Sequence, residues 1–351
     1  MLLSEYVTRK SLRNIGLARK SPSVTIDKAA LAVYAEELKR GKKTASNWKF
    51  PGVHPEDNIA FAGMSLVGSA VNFHLPLADN PREKFTVPNP SGKAFTGSFG
   101  MERCFYRTFG ETRVTTRHLW PFFGTLQATK DFFRGSNQIP LIEHRHWILQ
   151  EVLTVLDEKF SGNPMYMYEE ANWNAPELIQ ILTDSFPQAF GDDVSTLPVF
   201  SYGGDIFAKM RHELVFPFYK KAKLVCLLYH GRALDHDTEN GALKPLTGMH
   251  NLTAVEDYQV PRALQNEGVL VYSDALLEKI KNYEIIRRHG VEELEIRAST
   301  TEANAQILEI LNDGLEPEDP KYWTINELDG AEWFGSRGCP LPHHITPSTA
   351  Y

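Results

Sequence analysis

A chain of 351 residues, 42% of them hydrophobic, can bury a substantial core as one large domain or two smaller ones. Its formal charge of −7 and isoelectric point near 6.0 argue against a surface that tracks a long phosphate backbone, because such affinity is mostly counterion release by Lys and Arg. A single nucleotide, which a few local cations can hold, stays open.

Cys104, Cys226 and Cys339 are widely separated and odd in number, so neither a disulfide framework nor a CxxC metal site is indicated and a reducing compartment is the simplest setting. The histidines include His144 with His146 and His343 with His344, but no HExxH or other zinc spacing, and no metal or cofactor is expected. No apolar run reaches about 18 residues, so no membrane span is expected. The first twenty residues are basic with one acid, Glu5. They faintly resemble a transit peptide but lack the apolar core of a secretory signal, and the cytoplasm is the default location.

In chain order, residues 27–40 repeat apolar side chains at Leu31, Tyr34, Ala35 and Leu38 before Gly41, which predicts a half-buried helix. Residues 42–58 carry loop punctuation in Pro51, Gly52 and Pro55. The apolar stretch 59–75 reads either as a buried strand pair or as a tightly packed helix. Residues 76–97, with four prolines, read as a long loop or irregular hairpin. From 98 to 134, Phe, Trp and Tyr alternate with Arg103, Arg107, Arg113 and Arg117; such interleaving can serve nucleic acid, but a core stripe is favoured.

Residues 141–160 give a clear helix with Leu141, Ile148, Val152, Leu156 and Phe160 on one face. A second helix starts behind Asn174, with Glu177 completing a capping-box pattern and Pro187 as the stop. Residues 188–213 read as loose. Next comes FYKKAKLVCLLYHG, a helix with Leu224, Val225 and Leu228 inward and Lys220, Lys221 and Lys223 in its first turn. Cations there oppose the helix dipole; a bound phosphate or a solvated basic turn would each account for them. After a polar loop at 231–246 comes EDYQVPRALQNEGVLVY, residues 256–272, with Asp257 ahead of a helix started by a proline. A helix capped by Ser273 follows, then EELEIR (292–297) as a short strand or helix entry, and a helix capped by Ser299 with Glu302 and stopped by Gly314. The tail, 315–351, is apolar enough to pack on the body. The helix count makes the chain mostly α.

The collinear pieces IPLIEHRHWILQEVLTVLDEKFSG, ELIQILTDSFP, FPFYKKAKLV, EDYQVPRALQNEGVLVYS, EELEIRAS and PLPHHITPSTAY resemble the queuosine salvage proteins, the queuosine 5'-phosphate N-glycosylase/hydrolases. The resemblance runs from about residue 19 to the C-terminus and is weakest over 76–135 and 190–216. It implies a helix-hairpin-helix DNA-glycosylase-like fold with a minor β or irregular element. One glycosylase-like domain covers 1–351, with two lobes (1–135 and 136–351) and the site between them as the finer expectation. It also implies hydrolysis of the bond joining ribose 5-phosphate to queuine, a small nucleotide as partner, and no direct binding of a nucleic-acid polymer.

Residue by residue, Asp257 matches the Asp of the family's DYRVPQ motif and is the expected nucleophile or electrostatic catalyst. Lys220 matches the lysine of FYKRAQ and is expected at the 5'-phosphate, helped by Arg297 of EELEIR. Asn72 and Phe73 match the family's NF pair and are expected to line the base pocket; Tyr258 either walls the site or packs in the core. The chain also departs from the pattern. DYRVPQ is here DYQVPR, which exchanges Arg and Gln at Gln259 and Arg262. Ser69 stands where the family has an acid before NF, and Leu228 where an Asp ends the FYKRAQ helix. These changes leave open a non-catalytic nucleotide-binding paralogue, or an N-glycosidase for a different modified nucleotide.

Overall fold

The computed structural model describes residues 22–41, 46–202, 209–235 and 239–351. The basic N-terminal stretch and its transit-peptide resemblance lie outside these residues, as do 203–208 and 236–238 within the two segments read as loops. The described chain is mostly α-helical, as its periodicity predicts, and its strands form three two-stranded antiparallel pairs. No described helix is long and apolar enough to cross a membrane.

Two compact units are formed. The first holds the described residues within Met1–Thr44, Asp193–Phe218 and His250–Pro347, and its centre is the 21-residue helix Val291–Leu311. Nothing between 291 and 311 is Gly or Pro, so no local signal ends the helix, and EELEIR is its opening turns. The separate helix expected behind Ser299 is thus corrected: Ser299 is a buried mid-helix residue. Burial of consecutive turns outweighs the capping preference of a serine. Helix Lys28–Arg40, capped by the Asp27 carboxylate, packs on it. Strand Val24–Ile26 pairs with Leu270–Tyr272, and Phe216 and Phe218 pack against Leu294 and Ala298.

The same unit holds a hairpin that the loose reading of 188–213 misses. Val194–Tyr202 pairs antiparallel with Lys209–Pro217 in unbroken register, from Val194 opposite Pro217 to Tyr202 opposite Lys209. Its strands are rich in β-branched and aromatic residues around a Gly-Gly, a hairpin signal that the surrounding Gly, Asp and Ser obscure.

The second unit contains Ala45–Asp192, Tyr219–Met249 and Ser348–Tyr351. Residues 59–75 resolve as helix: Asn58–Ala70, started by Asp57 accepting from the Ala60 amide at 2.7 Å, is buried around almost its whole circumference. Residues 76–97 form an irregular hairpin through Thr86–Val87 and Phe95–Thr96. The aromatic stretch 98–134 folds as Ser98–Phe109, Thr116–Phe123 and Leu126–Phe132. Phe105, Phe123, Phe132 and Phe133 form one ring cluster of edge-to-face, tilted and stacked pairs, with Phe105 and Phe132 centroids 5.0 Å apart, so the stripe is core. Helices Ile142–Lys159 and Ala175–Ser185 follow, the latter capped by Asn174 accepting from the Glu177 amide at 3.1 Å. The chain end is buried here, the Tyr351 carbonyl accepting from the His74 amide at 3.0 Å.

Three buried histidines tie stability to pH. Burial, with the charge of Arg145 adding, lowers His74 to about 4; burial alone lowers His230 to about 4; burial and the charge of Arg297 lower His344 to about 3. Below the ordinary value of 6.5 the unfolded chain binds these protons while the folded chain does not, so stability is full above 6.5 and is lost as pH falls towards those values. At full loss His74 and His230 contribute at most about 3 kcal/mol each and His344 at most about 5 kcal/mol. Urea midpoints should therefore change little from pH 7.5 to about 6.5 and fall progressively from there to pH 5, and a flat midpoint below pH 6.5 would contradict the neutral buried state.

Candidate functional site

Of the residues singled out in the sequence, Asp257, Tyr258 and Arg297 come together in the first unit. Asp257 is half-buried at the entry of helix Gln259–Asn266. Its Oδ1 accepts from the Gln259 amide at 2.6 Å and the Val260 amide at 3.1 Å, the bonding of a helix cap. Oδ2 has no bond among the described residues, so one oxygen is fixed by backbone and the other is uncommitted. The neighbouring Glu256 turns the opposite way: it is fully buried and accepts from the Thr301 hydroxyl at 2.5 Å.

Arg297 lies at 1% exposure. Its fork donates to both oxygens of Asp193 at 2.7 and 2.8 Å, its Nη1 is 3.5 Å from Glu293, one turn earlier on the same helix, and its plane stacks 4.0 Å over Phe218. Its Nε donates to the Glu256 carbonyl at 3.3 Å, immediately before Asp257. The guanidinium expected at a phosphate is thus held by protein carboxylates. Asp193 and Glu293 are partners of Arg297 that local sequence reasoning missed; the i, i+4 spacing signals Glu293, and nothing local signals Asp193.

Tyr258 is interior. Its hydroxyl donates to the Thr346 carbonyl at 2.5 Å, its ring lies about 5 Å from those of His343 and His344, and burial pushes its ionisation far above the ordinary phenol range. The exchanged pair Gln259 and Arg262 both reach the tail: Gln259 accepts from the Ser336 hydroxyl at 3.1 Å, and Arg262 donates to the carbonyls of Ser336 and Leu341. Burial pushes the Glu332 carboxyl well above the ordinary carboxylate range, against a 2.8 Å bond from Asn304, with the charges of Asp329 and Asp257 adding to the rise.

Asn72, Phe73 and Lys220 come together in the second unit. Helix Lys220–Ala233 is buried on nearly every face, and Lys220, Lys221 and Lys223 are exposed by only 3, 0 and 4%. This corrects the solvated basic turn. The ammonium of Lys220 donates to the Asn72 carbonyl at 2.9 Å and that of Lys221 to the Ala70 carbonyl at 3.4 Å. These carbonyls stand at the C-terminal end of helix Asn58–Ala70, where the dipole is negative. The cations that oppose one helix dipole therefore satisfy another. Phe73 is buried with Arg145 4.2 Å and Lys221 5.3 Å from its ring centroid.

Asn72 lines a narrow cleft walled by Phe61, Phe105 and Leu228. The polar lining besides Asn72 is His54, Ser65, Ser69 and Glu102. His54 Nε2 and Glu102 Oε2 are 2.9 Å apart, a pair 48 positions apart in sequence that no motif signals. Among the described residues no group of three or more His, Cys, Asp or Glu is placed to hold a metal ion.

Comparison with known proteins bears on both units. A Sphaerobacter thermophilus protein named queuosine 5'-phosphate N-glycosylase/hydrolase is 29% identical over 284 residues, 81% of this chain and 80% of that one. Proteins of the same name from Mus musculus (26% identical, 78% of this chain and 74% of that one) and Nematostella vectensis (25%, 89% and 83%) are also similar. The family model described as queuosine salvage protein matches residues 54–334, a span that includes Asn72, Lys220, Asp257 and Arg297, and the chain belongs to that family.

Proposed function

We propose that the chain is a hydrolase that cleaves the N-glycosidic bond of queuosine 5'-phosphate, releasing queuine and ribose 5-phosphate. Its membership of the queuosine salvage family across most of its length carries this reading. In the same reading the protein works in the cytoplasm on a mononucleotide, without metal, cofactor or polymeric nucleic acid. Its helices adopt the helix-hairpin-helix arrangement of DNA glycosylases, which the predominance of helix supports.

The chemistry follows from the bond. Its cleavage builds positive charge on C1' and the ring oxygen of the ribose, as in other oxocarbenium-like transition states. A carboxylate below C1' stabilises that charge and orients or deprotonates the attacking water. A 7-deaza base has carbon in place of N7, so protonation there is unavailable and more of the work falls on the carboxylate and on hydrogen bonds to the base. Asp257 suits the task because Oδ1 is anchored to two amides while Oδ2 is uncommitted.

Lys220 is assigned to the 5'-phosphate and Asn72 to the base. Phe73 and Tyr258 are the layer behind these contacts, and Arg297 positions the segment that carries Asp257. Incubating the protein with queuosine 5'-phosphate should yield queuine and ribose 5-phosphate in equal amounts by mass analysis. Thermal stabilisation by the nucleotide without product would instead identify a binding protein.

A further inference from the structure

Asp257 emerges from a tight turn that is anchored from behind. Its amide donates to the Val255 carbonyl at 2.7 Å, which closes a three-residue turn centred on Glu256. Helix Val291–Leu311 holds that central residue at two points. Arg297 Nε donates to its carbonyl at 3.3 Å, and the Thr301 hydroxyl donates to its Oε1 at 2.5 Å. Arg297 and Thr301 are four residues apart and therefore share one face of the helix. Glu256 and Thr301 are exposed by 0% and 1%, so water does not stand in for either partner and an acceptor left unmet there is costly.

We propose that Thr301, acting through the side chain of Glu256, is a positioning residue for the glycosidic cleavage. The Asp257 carboxylate is tethered on its C-terminal side, where the amides of Gln259 and Val260 hold Oδ1. On its N-terminal side the backbone of Asp257 is placed by the dihedral angles of Glu256, the residue that Thr301 pins by its carboxylate. With both sides fixed, Oδ2 is kept at one point; without the Thr301 bond the turn is free to relax. A carboxylate that must meet charge developing on one carbon is sensitive to such a shift, since a displacement of about 1 Å can cost on the order of 10²-fold in rate. Arg297 holds the same turn, but its fork is also committed to Asp193 and its plane to Phe218, so its removal unsettles the interior at large. Thr301 bears on the turn through one hydroxyl, which makes its contribution separable.

The inference rests on the hydrolase reading of Asp257, and its test separates the two. Thr301→Val, which keeps the branched shape and loses the hydroxyl, should lower kcat for queuine release by about tenfold or more with KM within about twofold of wild type. Thr301→Ser restores the donor and should return kcat to within about threefold. In an Asp257→Asn background Thr301→Val should add less than about threefold, because residues that act as a unit are not additive. Amide hydrogen exchange gives a readout without turnover: at Gln259 and Val260 it should quicken by about tenfold or more in Thr301→Val, with helix Lys28–Arg40 unchanged, as local opening differs from global destabilisation.

If wild-type protein releases queuine, four results would each overturn the inference and leave the hydrolase reading standing: a wild-type kcat in Thr301→Val, a loss that Thr301→Ser does not repair, an equal loss in the Asp257→Asn background, or exchange at Gln259 and Val260 that does not move. Release of no queuine by wild-type protein overturns the hydrolase reading and this inference with it.

Discussion

Asp257→Asn is expected to bind queuosine 5'-phosphate within a few-fold of wild type and to lose about 10³-fold in kcat, the scale of removing a charge-stabilising or general-base group. Asparagine is chosen because of what Asp257 does locally. Its Oδ1 caps helix Gln259–Asn266 through the amides of Gln259 and Val260, and an asparagine carbonyl oxygen accepts the same two bonds. The helix entry is preserved while the charge disappears, so the loss in rate reports electrostatics or base catalysis and not unfolding. Asp257→Ala removes the cap as well and should cost about 1 kcal/mol of stability in addition. Single-turnover release of queuine with bound nucleotide measures the step directly; a wild-type rate in Asp257→Asn would remove this residue from the chemistry.

Why sequence alone reached Asp257 but not its surroundings follows from the range of the interactions. Caps at Asn174 and Ser273 are legible because the donor amides lie three residues away. Glu177, Gly41 and the apolar repeats around them speak the same local language. The burial of Lys220 and Lys221 is illegible in that language, since the carbonyls that accept from them lie 148 and 151 residues away. Three lysines in one turn look solvated until a helix C-terminus is placed against them. Ser299 misleads for the opposite reason: its local capping pattern is real, but the buried turns on either side of it keep the helix continuous. Within the site, Asp257 is legible through a motif, whereas Glu102 lies in a stretch where the family resemblance is weakest and meets His54 from 48 residues earlier, and Asp193 meets Arg297 across 104 residues.

Arg297 is the second place where a large effect is expected. Arg297→Met should lower stability by about 3–5 kcal/mol, the usual cost of removing one member of a buried ion pair. Asp193 and Glu293 are exposed by 1% and 0%, and without the guanidinium both carboxylates face each other's charge in the interior. Lysine is no substitute: it keeps the charge but lacks the planar fork that engages both oxygens of Asp193 and stacks on Phe218. Combining Arg297→Met with Asp193→Asn should recover part of the loss, because the carboxylate whose two oxygens the fork engaged is then neutral.

Urea denaturation of the four proteins in this cycle measures the coupling, and a loss below about 1 kcal/mol in Arg297→Met would show that the pair does not hold the fold. Kinetics separate the two roles open to this residue. A phosphate ligand, once lost, raises KM for the nucleotide and leaves stability alone. A residue that clamps the Glu256 carbonyl acts through the placement of Asp257, so its milder variant Arg297→Lys should lower kcat by about tenfold or more with KM little changed, and restoring the guanidinium should restore both rate and stability together.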